Sequence, residues 1–301
     1  MSILAGPGAG APRVLAHQDA APAVAVVAHH DGMSILAELL TDLASEGDRL
    51  RGAVAGLTDA GWRTPTPAAG WDIATQIAHL AWTDEAALLA VHATRGDGDG
   101  WAALVRRAAA DPQHFVDTAA VAGAAQPPAA ILTRWDAARA GLGEALRGVE
   151  GRLPWFGPPM SPASMATARL METWAHGLDV YAALGIPPVV TDAIRHVCHL
   201  GVRTRDFAYA VRGLDPPAAE FRIELTGPGG ATWTWGPPDA AQRVTGPAYD
   251  FARLVTQRVH RDDTALVAVG EDAEGWLDIA QAFAGPPGTG RTRALLGTGA
   301  D

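Results

Sequence analysis

The sequence predicts an α+β protein in which an N-terminal four-helix bundle is followed by a smaller C-terminal α+β domain. Between residues 34 and 209, apolar side chains recur every three or four positions, as they do on amphipathic helices. Residues 221–226 (FRIELT) and 231–235 (ATWTW) alternate polar and apolar side chains on either side of a glycine-rich turn, which is typical of a β-hairpin. Further helical patterns follow the hairpin at 248–259 and 274–283.

The individual helices are predicted from their start and stop signals. The first runs from Ser34 to Val54, and the second begins at Asp72, a good N-cap, and continues to Thr94. The remaining helices of this half are predicted at 102–110, 129–146, 161–184 and 192–209.

The domain limits follow from changes in composition. Residues 1–32 are rich in Ala, Gly, Pro and Val without a helical period, and we interpret them as a disordered extension. Two prolines at 216 and 217 mark the change from the helical to the mixed pattern. We therefore predict a helical bundle over 33–213, an α+β domain over 214–285 and a flexible tail over 286–301.

Composition restricts the classes of function. The chain has 301 residues and a formal net charge of −10, so its surface should repel phosphate backbones, and no nucleic-acid partner is expected. Cys198 is the only cysteine, which excludes an intramolecular disulfide and an all-cysteine zinc site. With no apolar run long enough to span a bilayer and no basic, leucine-rich leader, we predict no membrane association and a cytoplasmic location.

One set of side chains suggests metal chemistry. Glu172 and His176 are four residues apart on one predicted helix, so both leave the same face and can reach a common ion. His79 lies midway along the second helix among apolar neighbours, on a face that should be buried. Two imidazoles and one carboxylate make a three-ligand set that leaves a coordination position open. An isolated Glu–His pair at this spacing is more often an exposed helix contact.

A family resemblance supports the metal interpretation. The phrase GWDIATQIAHLA at 70–81 resembles the start of the second helix in the DinB-like superfamily, in its mycothiol-dependent maleylpyruvate isomerase-like branch. The later phrase ETWAH at 172–176 resembles the second ligand helix of that branch, about a hundred residues further on. The hairpin and the following RVTGPAYD resemble the sterol-carrier-like C-terminal domain that accompanies the bundle. The resemblance extends over roughly residues 33–285.

The resemblance implies a function for these residues. His79, Glu172 and His176 would hold a divalent metal ion, with zinc expected, that activates a low-molecular-weight thiol such as mycothiol. Addition of the thiolate to an alkene, rotation about the former double bond and loss of the thiolate would give cis–trans isomerisation. Direct attack on an electrophile would make the enzyme a transferase. The implied substrate is a small unsaturated or electrophilic acid.

Four other residues are candidates for the same site. Arg258 and Arg261 follow a predicted helix of the C-terminal domain, and the resemblance implies that either could bind a substrate carboxylate. Trp82 and Trp174 are the tryptophans placed by sequence to line a cofactor pocket beside the ion, although core packing is the simpler interpretation of both.

Two alternatives remain open. The metal could serve a thiol-independent lyase, hydrolase or cyclase, because one fold hosts many chemistries. The protein could instead be a non-enzymatic carrier of a small ligand with a structural metal, which a fourth protein ligand would favour. Metal-dependent binding of mycothiol distinguishes the first alternative from the thiol-dependent enzyme. In each case the expected partner is a small molecule, and the chain is expected to be a monomer or a homodimer.

Overall fold

The computed structural model describes residues 34–283, 285, 287–288 and 290–293. The predicted disordered extension and much of the predicted tail lie outside these residues. The helices are α1 Ile35–Val54, α2 Asp59–Trp62, α3 Ile73–Thr94, α4 Asp99–Ala110, α5 Phe115–Ala124, α6 Pro128–Arg147, α7 Pro162–Leu184, α8 Ile194–Arg203, α9 Arg205–Ala210, α10 Ala248–Val255 and α11 Glu271–Ile279. The strands are β1 Phe221–Thr226, β2 Thr232–Trp235, β3 Gln242–Pro247 and β4 Val267–Val269.

Four long helices, α1, α3, α6 and α7, form the bundle, with α4 and α5 packed beside α3. Helix α3 is buried along most of its length because it is rich in alanine and apolar on nearly every face. Its small side chains let α6 and α7 approach closely, and the larger ones fill two core clusters around Trp135 and Leu142. No helix in the described part of the chain is both long enough and apolar enough to cross a bilayer.

The C-terminal unit is a four-stranded sheet covered by helices. The strand order is β2-β1-β3-β4, with β1 antiparallel to β2 and parallel to β3, and β4 antiparallel to β3. Its core contains Phe251 of α10 and Trp276 of α11, and also Trp174 and Leu178 of α7. Helix α7 therefore belongs to both halves. One of its faces packs in the bundle and another packs against the C-terminal unit. Residues of that unit therefore lie next to the metal-ligand candidates on α7.

The predicted fold class is confirmed, and the differences are local. Strands β3 and β4 were missed because β3 (QRVTGP) is polar and interrupted by Gly246, while β4 has only three residues. The helix predicted at 192–209 is divided at Thr204, whose hydroxyl donates to the carbonyl of Gln281, 2.7 Å away. The helix predicted at 248–259 ends at Val255, and Gln257 beyond it has φ +58°.

A pair of glycine substitutions should change stability in opposite directions. Gly185 caps α7 with φ +65°, so an alanine there must adopt the left-handed conformation, and Gly185→Ala should destabilise the protein by about 1–2 kcal/mol. Gly143 lies inside α6, and the methyl group of an alanine there would meet no neighbouring atom. Gly143→Ala should therefore stabilise the protein by about 0.5–1 kcal/mol. Urea denaturation measures both. Equal effects would contradict the assigned cap.

Candidate metal centre

Three side chains from α3 and α7 converge inside the bundle. Nε2 of His79 lies 3.3 Å from Oε2 of Glu172, and Nε2 of His176 lies 3.2 Å from the same oxygen. The imidazole ring centres are 4.5 Å apart, and one ligand atom from each of the three residues lies within 4.8 Å of the other two. The structure thus brings together the three residues that the sequence suggested as metal ligands.

The fold fixes these side chains through two long, well-capped helices. Asp72 caps α3 by accepting from the amide of Thr75 at 2.8 Å, which places His79 two turns into the helix. Ser161 caps α7, and the spacing of four residues puts Glu172 and His176 one above the other on the face toward α3. Glu172 and His79 are almost fully buried.

Burial also sets the protonation states. The pKa of His176 is lowered to about 3, mainly by burial and to a lesser extent by the neighbouring His79. Burial likewise lowers the pKa of His79. Burial alone would raise the pKa of Glu172, but its polar contacts with His176 and His79, together with the charge of Arg169, outweigh burial and hold that pKa well below the usual range. At neutral pH the site therefore contains two neutral imidazoles and one ionised carboxylate.

This donor set fits a divalent cation. A buried carboxylate faces two imidazole nitrogens, yet neither imidazole carries the positive charge that would neutralise it. His79 Nδ1 is also buried and has no hydrogen-bond partner among the described residues. The buried guanidinium of Arg169 also favours the ionised carboxylate, but it is not one of the three ligand candidates. Burying a carboxylate is costly, and a cation bound between the three residues would reduce that cost further. Two nitrogens and one oxygen suit zinc.

A cavity of about 280 Å³ opens beside the three residues. Arg258, from the turn after α10, and Arg291 both enter it and both pair with Asp179, which is 3 % exposed at its side chain. Nη2 of Arg258 lies 3.0 Å from Oδ2 of Asp179. Since one carboxylate faces two guanidinium groups, this end of the cavity keeps an excess positive charge and is suited to an anionic ligand.

Of the two arginines suggested as carboxylate binders, only Arg258 lines this cavity. Arg261 lies outside it, and its guanidinium pairs with Glu274 and, at 2.6 Å, with Asp278. The residue that the sequence did not suggest is Arg291, which lies in the segment predicted to be a flexible tail. Its neighbours, GPPGTGRT, have the composition of a loop and carry no signal of this contact.

The two suggested tryptophans are also not among the residues that line the cavity. The Trp82 ring lies 6.3 Å from that of His79 but packs edge-on against Phe115. Trp174 points into the C-terminal core and packs against Tyr249. Trp71 lines the cavity instead, and its ring is stacked on His176 with centroids 5.7 Å apart. Trp71 precedes the helix in sequence, so helical spacing could not identify it.

Cys198 and its flanking histidines do not form a second site. Cys198 is buried in the C-terminal core, where its thiol donates to the carbonyl of Ala248 and burial raises its pKa. His196 pairs with Asp42 on α1, while His199 accepts from the indole of Trp235. These contacts lie on different elements, so they give both histidines a structural role.

The protonation states predict an unusually flat pH profile for metal affinity. Protonation of a ligand competes with the metal only below the ligand's pKa, and the pKa of His176 is about 3. We therefore expect zinc affinity to change little between about pH 8 and about pH 5. A ligand of ordinary pKa, about 6.5, would lose affinity about tenfold per pH unit below that value. Chelator competition at several pH values measures the profile, and such a steep loss would contradict the assignment.

Comparisons with known proteins agree with the geometry. The family model described as the mycothiol maleylpyruvate isomerase N-terminal domain matches residues 43–181, and one described as wyosine base formation matches residues 217–269. The crystal structure of the mycothiol-dependent maleylpyruvate isomerase is similar with a TM-score of 0.54 and 17 % identity, covering 77 % of this chain and 92 % of that one. A point mutant of that enzyme matches equally well.

Two curated relatives are much closer in sequence. Uncharacterized protein MT0041 and uncharacterized protein Rv0036c, from two strains of Mycobacterium tuberculosis, are each 58 % identical over 254 residues, which is 84 % of this chain and 97 % of each relative. The fold and the converging His–Glu–His cluster define a DinB-like bundle protein with a candidate metal centre. The chain belongs to the same family as these two relatives, and over residues 43–181 it is maleylpyruvate isomerase-like.

Proposed function

We propose that the protein is a zinc-dependent enzyme that uses a low-molecular-weight thiol, mycothiol, for isomerisation or transfer on a small unsaturated or electrophilic acid. The observation that carries this proposal is the arrangement of His79, Glu172 and His176 around one point at the wall of a cavity. When bound there, a divalent cation with an open coordination position would lower the pKa of a thiol and supply a nucleophile near neutral pH.

The chain's own residues supply the rest of the site. His79, Glu172 and His176 would hold the cation, and the ring of Trp71 would shield one side of it from water. Arg258 would bind the carboxylate of the acid. Its guanidinium contacts the carbonyls of Ala175 and Thr256 and the carboxylate of Asp179, and these contacts fix its orientation. A guanidinium has five N–H donors, so these three contacts leave Arg258 with free donors for the carboxylate of a ligand.

The structure favours an enzyme over a carrier with a structural metal. Structural zinc sites are usually closed by four protein ligands. In the described part of the chain, the ligand cluster contains three candidates. Asp179, one turn beyond His176 on α7, is already held by Arg258 and Arg291. A cation held by these three residues would therefore keep a coordination position open, and the cavity that the residues line could admit a thiol or a substrate.

A binding experiment tests this function and separates it from thiol-independent chemistry. Isothermal titration of mycothiol into zinc-loaded and metal-free protein should give binding to the zinc-loaded form alone, and turnover of maleylpyruvate should require both zinc and thiol. Zinc-dependent conversion of an acid without mycothiol would replace the thiol-dependent proposal with a lyase, hydrolase or cyclase. A purified protein that binds no zinc would overturn both. The cytoplasmic location and the oligomeric state stay predictions.

A further inference from the structure

The imidazole of His176 makes a second polar contact, on the side away from Glu172. Its Nδ1 lies 2.5 Å from Oε1 of Gln76, a residue with no exposed surface on the first turns of α3. A neutral imidazole can carry its proton on either nitrogen, and only the form with a bare Nε2 can bind a metal through that atom. The identity of the group facing Nδ1 therefore determines whether this histidine is ready to coordinate.

The orientation of the Gln76 amide follows from its own partners. Its Nε2 donates to the hydroxyl of Thr66 at 2.9 Å, and that hydroxyl donates to the main-chain carbonyl of Trp71 at 2.9 Å. The carbonyl can only accept, so the Thr66 proton points to it and the Thr66 oxygen must accept from the amide NH₂. The amide oxygen is left facing Nδ1 of His176 at 2.5 Å. This contact is much shorter than the 3.2 Å between Nε2 and Oε2 of Glu172, so it places the proton on Nδ1.

This chain of hydrogen bonds ends at the main-chain carbonyl of Trp71, which is held in a tight turn. The amide of Thr66 donates to the carbonyl of Trp71 at 2.8 Å, closing a turn that contains Gly70 with φ +79°. Asp72, immediately afterwards, caps α3. Trp71 therefore acts on His176 twice, because its carbonyl accepts the last hydrogen bond of the chain and its ring stacks on the imidazole. The turn before α3 thus orients the imidazole in two ways, through its proton and through its ring plane.

His79 has no corresponding device. Its Nδ1 is buried without a hydrogen-bond partner among the described residues, and its contact from Nε2 to Oε2 of Glu172, at 3.3 Å, favours a proton on Nε2 while no metal is bound. The two histidines of the cluster therefore differ, since one is fixed in the metal-binding form before any ion arrives and the other must adapt.

We propose that Gln76, anchored by Thr66 and the Trp71 carbonyl, is a positioning residue that holds His176 in the Nδ1–H form and so presents a bare Nε2 to the metal. This deepens the proposed function, because it rests on the same three ligands. It assigns a role to a buried glutamine outside the ligand set.

The test measures tautomer and metal affinity separately. Two-bond ¹H–¹⁵N correlation spectra of the metal-free protein should show His176 protonated at Nδ1. The zinc dissociation constant, measured by chelator competition, should rise by about 10–100-fold in Gln76→Leu, the usual effect of losing a partner behind a ligand. Thr66→Val, which keeps Gln76 but frees its amide to turn, should weaken zinc binding less. Gln76→Glu keeps an acceptor and should restore affinity close to wild type.

Gln281→Leu is the matched control. Gln281 is a second fully buried glutamine, and its amide donates to the main-chain carbonyls of Phe283 and Gly285. Its loss should lower the melting temperature without changing zinc affinity. A wild-type His176 protonated at Nε2, or a folded Gln76→Leu protein with unchanged zinc affinity, would overturn the proposal. If Gln76→Leu does not fold, a folded Thr66→Val protein with unchanged zinc affinity would overturn the proposal instead. If wild type binds no zinc, the proposed function fails, and the tautomer spectrum still tests Gln76.

Discussion

Replacing Glu172 with glutamine is expected to weaken zinc binding by at least about 100-fold, because loss of a partner behind a ligand alone costs about 10–100-fold. Glu172→Gln keeps the shape of the side chain and removes the one negative charge among the three ligands. The zinc content of the purified protein and the dissociation constant both measure the effect. The thiol-dependent activity should disappear with the metal.

Thermal melting gives an independent readout of the same substitution. Zinc should raise the melting temperature of the wild-type protein, since a ligand at about 1,000 times its dissociation constant adds about 4 kcal/mol to stability. The Glu172→Gln protein should lack this rise and should still fold without zinc, because glutamine keeps the shape of the side chain and the buried carboxylate that it replaces is itself costly. Glu46→Gln, at another buried glutamate paired with Arg49, is the control and should keep full zinc affinity. Stoichiometric zinc in Glu172→Gln would show that the ion is bound elsewhere.

The second large effect is expected at Arg258. Hydrogen bonds to charged groups contribute about 1.5–3 kcal/mol, so Arg258→Ala should lower kcat/KM for an acidic substrate by about 10–100-fold. Zinc affinity should change much less than kcat/KM, because Arg258 contacts Asp179, Ala175 and Thr256 and acts on the ligand His176 only through its charge. Steady-state kinetics with the acid and with its methyl ester measure the effect, and the ester should be much less affected than the acid.

Two further variants complete the Arg258 experiment. Arg258→Lys keeps the charge beside Asp179 but loses the planar fork, so it should retain stability and lose part of the activity. Arg261→Ala is the matched control, since that guanidinium lies outside the cavity and pairs with Glu274 and Asp278. Equal losses at positions 258 and 261, or equal losses for acid and ester, would contradict the assigned role.

The sequence was sufficient for the ligand helices because their signals are local. Asp72 and Ser161 begin α3 and α7 as caps, and the spacing of Glu172 and His176 fixes their common face. A histidine such as His79 amid apolar helical neighbours implies a buried partner, but the family resemblance of residues 70–81 was needed to suggest that this partner is a metal ion. The same reasoning could have found Gln76, which is buried three residues before His79 and is equally in need of a partner.

The missed contacts all depend on chain segments meeting across long distances. Trp71 reaches His176 because the turn at 66–71 doubles back before α3 begins. Arg291 meets Asp179 across 112 residues of sequence, from a segment whose composition is typical of a loop. Strand β3 pairs with β1 in parallel despite its polar sequence. Val244 is its one fully buried side chain, so β3 shows no alternation of apolar residues that would predict a strand. Neither periodicity nor spacing carries such information.

Zinc-edge X-ray absorption of the purified protein, before and after mycothiol is added, is the most direct test of the metal centre. Without thiol, the spectrum should show only nitrogen and oxygen ligands at about 2.0–2.2 Å, from two imidazoles, a carboxylate and water. With mycothiol, one sulfur should appear at about 2.3 Å. Absence of bound zinc, or a sulfur ligand already present before the thiol is added, would contradict a site formed by His79, Glu172 and His176.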